Sequence, residues 1–330
     1  MNTQHAKSPC CRGGIRKYGM RRRQCSLCKK TWRVRKKKQG RKRLRATASL
    51  VTQYLRHEIP SLHARARART CASDAIERRL HRSRDFFLSH VSWPHVPTDG
   101  VLIALADAMM REIKGEMYTV YFILVRPVDS NEAIIMEPYL QTGKETHEGW
   151  YEAFRRVSVP VRRRILALVC DSHGGLVSVA FRNHWLLQRC NFHIIASIQG
   201  RRSRFAASRH RPVGERLYRL TSQILTLKDQ RAVNQLITEI ESIGWETHAG
   251  QLGKIISGFV AHADEYRTYL AHPELRLPRT NNTCETLIGG FQNLTHRMRG
   301  YSSVRSLRQW LDAYLKNRKT VTCNPSNQPN

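Results

Sequence analysis

The sequence predicts an α/β fold with a mixed sheet, interrupted by an all-helical insertion and preceded by a basic segment and two helices. Three observations lead to this prediction. Apolar runs rich in β-branched residues begin at residue 101, residues 200–278 show helical periodicity without a strand signal, and residues 1–57 contain no acidic side chain. Hydrophobic residues make up 41% of the 330, which is enough for at least one ordinary core.

The basic segment dominates the charge of the chain. There are 57 lysines and arginines against 25 acidic residues, a formal net charge of +32, and 18 of the basic residues lie between Lys7 and Arg45. Such a charge favours a polyanionic partner, and nucleic acid is the obvious one. The alternative is a solubilising or nuclear-localisation-like run. The residues expected to contact DNA here are Arg21, Arg22, Arg23, Lys36, Lys37, Lys38 and Arg41.

The cysteines of residues 1–45 indicate a zinc-ribbon-like segment. Cys25 and Cys28 have the C-x2-C spacing that lets two thiolates reach one Zn²⁺, and Cys10 and Cys11 could help to complete the ligand set. His5 is a further candidate for the fourth ligand. The alternative is free thiols in a basic arm. Nine cysteines in all, an odd number, favour thiols or a metal site over a disulfide framework.

Within the predicted helix-turn-helix region, residues 46–95, residues 48–90 are predicted to be helical. Pro60-Ser61 gives a break before Leu62 to Arg69, and Thr70, Ser73 and Asp74 are turn and N-cap residue types before a basic helix from Ala75 to His90. Helix, turn and basic helix fit a helix-turn-helix whose second helix enters the major groove of DNA. An ordinary helical hairpin with a solvated basic face is the alternative. The residues expected to contact DNA are Arg78, Arg79 and Arg82.

The mixed sheet is predicted from four apolar runs. Strands are expected at residues 101–113, 117–128, 132–140 and 164–170, with a helix at 146–157 before the last of them. Three consecutive strands imply antiparallel hairpins on one side of the sheet. No run of about 18 apolar residues is present, and the polar N-terminus has no signal-peptide core, so neither a membrane span nor secretion is predicted.

Three acidic residues are candidates for a metal site. Asp107 and Asp171 lie at strand positions, where a buried carboxylate is costly unless it is paired or metal-bound. Glu285 follows at the start of a helix in a segment otherwise rich in hydroxyl, amide and basic groups. Oxygen ligands of this kind suit Mg²⁺ or Mn²⁺. The alternatives are turn or capping aspartates and a glutamate that stabilises a helix N-terminus.

Two further motifs flank the predicted helical insertion at residues 200–278. Cys190-x2-His193 precedes it, and this pair could be half a zinc site or a packed structural pair, with the structural interpretation favoured. Arg297 and Arg299 follow Glu285 and are expected to hold DNA phosphates. Residues 317–330 are predicted to be a disordered polar tail.

Taken in order, these motifs resemble a known family. VCDSHGGL, QRCNFHI and TNNTCETLIGGF, together with an aspartate on a first strand, resemble the DDE transposases of bacterial insertion sequences, in the group related to Mutator. The resemblance covers about residues 8–316. It implies an RNase H-like core formed by residues 101–199 and 279–316, with catalytic acids at Asp107, Asp171 and Glu285. Cys190 and His193 match the structural Cys/His motif of that group.

The resemblance also implies an activity. Two Mg²⁺ or Mn²⁺ ions held by the three acids would support cleavage at transposon ends and strand transfer into target DNA. The expected partners are transposon-end and target DNA and further copies of the chain, as a dimer or larger assembly, in the bacterial cytoplasm at the nucleoid. The alternatives are a DNA-binding protein without nuclease activity and a metal-dependent nuclease that does not join strands.

Overall fold

The computed structural model describes residue 11 and residues 14–18, 22–33, 48–59, 73–202, 211–247, 251–298 and 302–324. The chain divides into two compact units, Met1–Ala46 and Thr47–Asn330. The two helices that the structure describes within residues 46–95 belong to the larger unit.

The first unit contains a three-stranded antiparallel sheet. Its strands are β1 (Ile15–Lys17), β2 (Arg22–Cys25) and β3 (Thr31–Arg33), in that order across the sheet. Ile15 pairs with Cys25, so the first hairpin brings the end of β2 back beside the start of β1. Cys25 is fully buried, whereas most of the other described residues of this unit are exposed.

The second unit begins with two helices that pack onto its core. Helix α1 (Ser49–Leu55) and helix α2 (Ser73–His90) are joined through residues 60–72, which lie outside the described residues, so the helix-turn-helix remains a prediction. Tyr54 and Leu80 are buried in the same hydrophobic cluster as Trp310, and the Tyr54 and Trp310 rings are 5.8 Å apart. The two helices therefore share a core with the end of the chain.

The large sheet has seven strands. They are β4 (Leu102–Ile113), β5 (Glu116–Pro127), β6 (Glu132–Ile135), β7 (Tyr139–Thr142), β8 (Ile165–Cys170), β9 (Leu186–Arg189) and β10 (Thr320–Thr322). The order is β10-β6-β5-β4-β8-β9, with β7 also paired to β5. Strand β5 is antiparallel to β4 and β6, whereas β8 is parallel to β4 and to β9. The mixed α/β sheet predicted from the sequence is confirmed.

The two faces of this sheet follow from alternation along the strands. In β4, Ile103 and Leu105 enter one hydrophobic cluster, while Leu102 and Ala104 enter another on the opposite face. Both faces are covered by helices, and strands buried on both faces are therefore almost continuously apolar. Lys114 and Gly115, both with positive φ, form the two-residue turn between β4 and β5, a conformation typical of a tight hairpin.

Helices cover both faces of the sheet. On one face lie α3 (His147–Arg156), α4 (Val159–Arg162) and α5 (Gly174–Arg182), with Trp150 and Leu176 fully buried. On the other lie α11 (Asn282–Arg297) and α12 (Val304–Arg318), together with α1 and α2. Side-chain caps fix three of the helix starts: Thr146 accepts from the Gly149 N–H, His173 from Gly175, and Ser303 from Ser306.

The segment between the sheet and α11 is helical, as predicted. It contains α6 (Asn191–Arg202), α7 (Arg211–Ile224), α8 (Gln230–Thr247), α9 (Gln251–Ala261), α10 (Thr268–Ala271) and two short 3₁₀ helices, Ala263–Tyr266 and Pro273–Leu275. These helices have a hydrophobic cluster of their own, which includes Ile198, Leu220, Ile240 and Phe259. The segment leaves and rejoins the core at one point, because the Asn191 N–H donates to the Arg279 carbonyl at 2.9 Å.

Three details differ from the prediction. The predicted strand 132–140 is divided into β6 and β7, with Pro138 between them, and helix α5 and strand β9 were not predicted. The predicted polar tail is ordered at its start, because β10 pairs with β6 and the Cys323 side chain is fully buried. No described helix is long and apolar enough to span a membrane.

Candidate active site

One candidate aspartate, Asp107, lies on β4, and the other, Asp171, directly follows β8, the parallel neighbour of β4. Leu105 of β4 pairs with Val169 of β8, and each aspartate comes two residues later along its strand direction. Because residues two apart share a face of a sheet, Asp107 and Asp171 are placed level with each other on the face covered by α11. Both residues were predicted at strand positions, and β4 and β8 are neighbours in the sheet.

Asn281 brings the third acid to the same place. This fully buried side chain donates from Nδ2 to the Ala106 carbonyl at 2.8 Å, next to Asp107, and its backbone N–H lies 3.2 Å from the Cys190 sulfur. The Glu285 N–H in turn donates to the Asn281 carbonyl. Asn281 thus fixes the start of α11 against β4, which places Glu285 in the first turn facing the aspartates.

The pKa of Asp107 reflects the proximity of the other acids. Burial raises the pKa of its carboxyl, and the negative charges of Asp171, Glu285 and Glu145 raise it further, while the Ala108 N–H at 2.8 Å opposes the rise. The resulting pKa is about 7, against an ordinary value of 3.8. Asp107 therefore holds a proton near neutral pH unless a cation compensates the neighbouring charges.

A fourth acid, Glu145, belongs to the site and was missed by the sequence analysis. Its Oε1 accepts from the Trp150 indole N–H at 2.6 Å and lies 3.4 Å from His173 Nδ1. The His173 backbone N–H donates to Asp171 Oδ1 at 3.0 Å, so Glu145 and His173 together flank the aspartate. In the sequence, Glu145 comes just before the capping Thr146. This position indicates the start of a helix, but it does not indicate that Glu145 lies near Asp107 and Asp171.

The predicted Cys/His pair lies against the third acid. His193 Nε2 is 3.8 Å from Glu285 Oε1, and the ligand atoms of Cys190, His193 and Glu285 all lie within 4.8 Å of one another. Burial raises the pKa of the Cys190 thiol, although backbone N–H groups of Asn281, His193 and Phe192 donate to its sulfur and oppose the rise. The pair is thus part of the site and not remote from it.

The donor types at the site fit divalent cations. Asp107, Asp171 and Glu285 offer the hard oxygen ligands that Mg²⁺ and Mn²⁺ prefer, and Glu285 Oε1 is buried without a hydrogen-bond partner. Among the described residues these three acids are not a group whose ligand atoms all lie within 4.8 Å, so they do not surround one ion as they stand. Two ions about 3.5–4 Å apart would span a longer distance than a single coordination sphere.

A cleft of about 530 Å³ opens beside the acids, between the sheet and the helical segment. Asp171, His173 and His193 line one side, and Lys254 and His262 line the other. Across its base the Ser172 and Tyr266 hydroxyls are 3.1 Å apart, and Arg189 bonds to Glu265. The cleft therefore combines the acidic site with basic and hydroxyl groups from the helical segment.

The predicted DNA-contacting residues of the second unit have different environments. Arg78, Arg79 and Arg82 are exposed on α2. Arg297 instead donates to the Ile59 carbonyl and lies over the Tyr54 ring at 5.2 Å, so it connects α11 to the segment after α1. Arg299 lies outside the described residues.

Within the first unit, three of the four predicted zinc ligands come together. Cys11, Cys25 and Cys28 have sulfur atoms that all lie within 4.8 Å of one another, and the Cys11 and Cys25 sulfurs are 3.2 Å apart. Arg22 and Arg23 lie on β2. The predicted residues that fall outside the described part of the chain are His5, Cys10, Arg21, Lys36, Lys37, Lys38 and Arg41.

A comparison with known protein families found no match to this chain, and a comparison with curated proteins found no significant one. The function is therefore argued from the residues of the site.

Proposed function

We propose that the protein is a DDE transposase that cleaves DNA at transposon ends and transfers the freed strand to target DNA, with metal ions held by Asp107, Asp171 and Glu285. The observation that carries the proposal is that these three acids come from β4, from the end of the adjacent strand β8 and from the start of α11, which Asn281 holds against β4, and that Asp171 lines the cleft. A protein that only binds DNA has no need to bury Asp107 among other acids.

The sheet supports the RNase H-like part of the proposal. Strands β4, β5 and β6 form an antiparallel series, and β8 and β9 extend the other side of β4 as parallel strands reached through helices. The family resemblance leads one to expect an aspartate on the first strand of such a sheet and another at the end of its parallel neighbour. Asp107 and Asp171 occupy these positions, and the helical segment precedes Glu285 as the resemblance requires.

In this proposal each residue has a definite task. Bound Mg²⁺ or Mn²⁺ supplies charge that activates the attacking oxygen and stabilises the leaving 3′-oxygen of an in-line displacement at phosphorus. Asp107 releases its proton when it becomes a ligand, since its pKa of about 7 lies close to neutral pH. His173 and Glu145 orient Asp171, and Asn281 fixes Glu285 through the start of α11.

The charge of the chain supports DNA as the substrate. Lys254 and His262 line the cleft beside the acids, and Arg78, Arg79 and Arg82 form an exposed basic row on α2. Contacts of this kind hold phosphates and position a strand without reading its sequence. Their contribution to binding falls with increasing salt concentration. Two DNA ends must be held together for strand transfer, so a dimer or larger assembly on DNA is part of the proposal.

The test is a strand-transfer assay with purified protein, Mg²⁺ or Mn²⁺, and labelled duplexes that cover the DNA bordering the gene on each side. We expect metal-dependent nicking and joining that is lost in Asp171→Asn and Glu285→Gln. Asp99→Asn is the matched control, because it removes an equal charge at an exposed position before β4. Tight binding without cleavage under either metal would favour a non-catalytic DNA-binding protein, and cleavage without joining would favour a nuclease.

A further inference from the structure

We propose that Cys190, His193 and Glu285 form a binding site for a borderline-soft divalent cation such as Zn²⁺, and that an ion bound there withdraws Glu285 from the Mg²⁺-binding acids. The first part of this proposal is independent of the activity proposed above. The second part, inhibition by zinc, rests on it.

The distances at this site suit a shared ion better than a direct contact. His193 Nε2 and Glu285 Oε1 are 3.8 Å apart, which is too far for a hydrogen bond. Two ligands at about 2.0–2.1 Å from a tetrahedral Zn²⁺ are separated by about 3.3 Å, so a movement of about half an ångström would bring both into coordination. The Cys190 sulfur already lies within 4.8 Å of a ring nitrogen of His193 and of a carboxylate oxygen of Glu285.

The surroundings of the Cys190 sulfur are those of a ligand. The Asn281 N–H donates to it at 3.2 Å, and the backbone N–H groups of Asn281, His193 and Phe192 lower the pKa of the thiol, although burial raises this pKa by more. A buried thiol that serves only as a small apolar group needs no such donors. Donors from a helix start and a neighbouring loop stabilise sulfur in its thiolate form, which is the form that binds metals.

Glu285 has a buried carboxylate oxygen without a hydrogen-bond partner. Its Oε1, which is 3.8 Å from His193 Nε2, makes no hydrogen bond although it is shielded from solvent. A buried carboxylate oxygen without a partner is costly. A cation beside it would remove this cost.

The site is accessible from the cleft, and its ligands favour Zn²⁺ over Mg²⁺. The His193 side chain is 41% exposed and lines the cleft, so an ion can enter and a water can take the fourth position. A thiolate and an imidazole select Zn²⁺ over Mg²⁺, whereas three carboxylates do the reverse. Glu285 is common to both sets, so the two kinds of ion compete for one side chain.

The test uses the full-length chain carrying Cys11→Ser and Cys28→Ser, which remove the thiol cluster of the first unit. Co²⁺, a spectroscopic substitute for Zn²⁺, is titrated without oxygen, and the thiolate-to-cobalt charge-transfer band and the tetrahedral d–d bands are recorded. We expect one equivalent to bind with a thiolate band, and one equivalent of Zn²⁺ to displace it.

Three variants then assign the ligands. Cys190→Ser should abolish the thiolate band, and His193→Gln and Glu285→Gln should each weaken binding at least tenfold, since even indirect contacts to a metal contribute about 10–100-fold. Cys323→Ser, which alters another buried thiol, is the matched control and should leave the spectrum unchanged. If Cys190→Ser does not fold, His193→Gln serves as the test, because the His193 side chain is half-exposed and its replacement should be tolerated.

The proposal is overturned if the chain lacking the first cluster binds no stoichiometric Co²⁺, or if His193→Gln binds it as tightly as the parent. The pair would then serve only to fix the start of α6. Because the titration needs no DNA, an inactive protein can still confirm the site, and a failed titration leaves the proposed activity standing. In an active preparation, micromolar Zn²⁺ should inhibit Mg²⁺-dependent cleavage by the parent protein.

Discussion

Replacing Asp107 by asparagine should stabilise the metal-free protein at pH 8 and leave its stability unchanged at pH 4. The pKa of Asp107 is about 7 in the folded chain, chiefly because of burial, against 3.8 when it is unperturbed. Below pH 3.8 both folded and unfolded chains carry the proton. As the pH rises toward 7, the unfolded chain loses this proton while the folded chain keeps it, so the free energy of unfolding falls.

The magnitude follows from the interval between 3.8 and about 7. At about 1.36 kcal/mol for each pKa unit, this interval corresponds to about 4 kcal/mol once the pH exceeds 7. The asparagine side chain of the variant cannot ionise, and its Oδ1 can still accept from the Ala108 N–H. The variant should therefore be more stable than the parent by up to about 4 kcal/mol at pH 8.

Urea unfolding followed by circular dichroism, in EDTA at half-unit steps from pH 4 to 8.5, measures this difference. Asp99→Asn, which removes an exposed acid, is the control. A difference between parent and Asp107→Asn that stays constant within about 1 kcal/mol across the range would refute the reasoning. Mg²⁺ should reduce the gap at pH 8, because it stabilises only the parent's ionised carboxylate.

Three other perturbations test the fold. Removing residues 1–46 should leave a protein that unfolds cooperatively. Removing residues 1–95 should cause aggregation, because it exposes the apolar surface around Trp310 that α1 and α2 cover. Thermal denaturation followed by light scattering distinguishes the two outcomes. Arg126→Met should lower the free energy of unfolding in urea by at least about 3 kcal/mol, because the buried guanidinium donates to five carbonyls. The control Arg164→Met, at a partly exposed position, should lower it by less than about 1 kcal/mol. Cys28→Ser should lower the zinc content by one equivalent, and a metal analysis unchanged from the parent would contradict the ribbon.

The strands were predictable where local pattern and burial agree. The runs that became β4 and β5 are apolar over their length because both faces of the sheet are covered, and Lys114-Gly115 supplies a tight turn. The third predicted strand divides because Pro138 has no N–H to donate to a ladder. Helix α5 was missed because Gly174 and Gly175 at its start indicate a turn, while the cap at His173 is visible only in the structure.

The candidate site was predictable in part. Asp107, Asp171 and Glu285 stand out because acids are unusual within an apolar strand, directly after one, and in an otherwise basic segment. Glu145 does not stand out, since its neighbours His173 and Trp150 are brought to it by the packing of α3 against α5. The proximity of His193 to Glu285 depends in the same way on Asn281, which joins segments about 90 residues apart.

The hydrogen bond between Asn191 and Arg279 has a consequence for how this protein can change. Because the helical segment leaves and rejoins the core at a single point, its length can vary without threading a new strand through the sheet or moving Glu285. The entropy cost of closing a longer loop grows only slowly with its length. A longer or shorter helical segment can therefore be accommodated between Asn191 and Arg279 while β4 and β8 keep their register, as long as the Leu275 and Arg276 carbonyls still accept from Arg126.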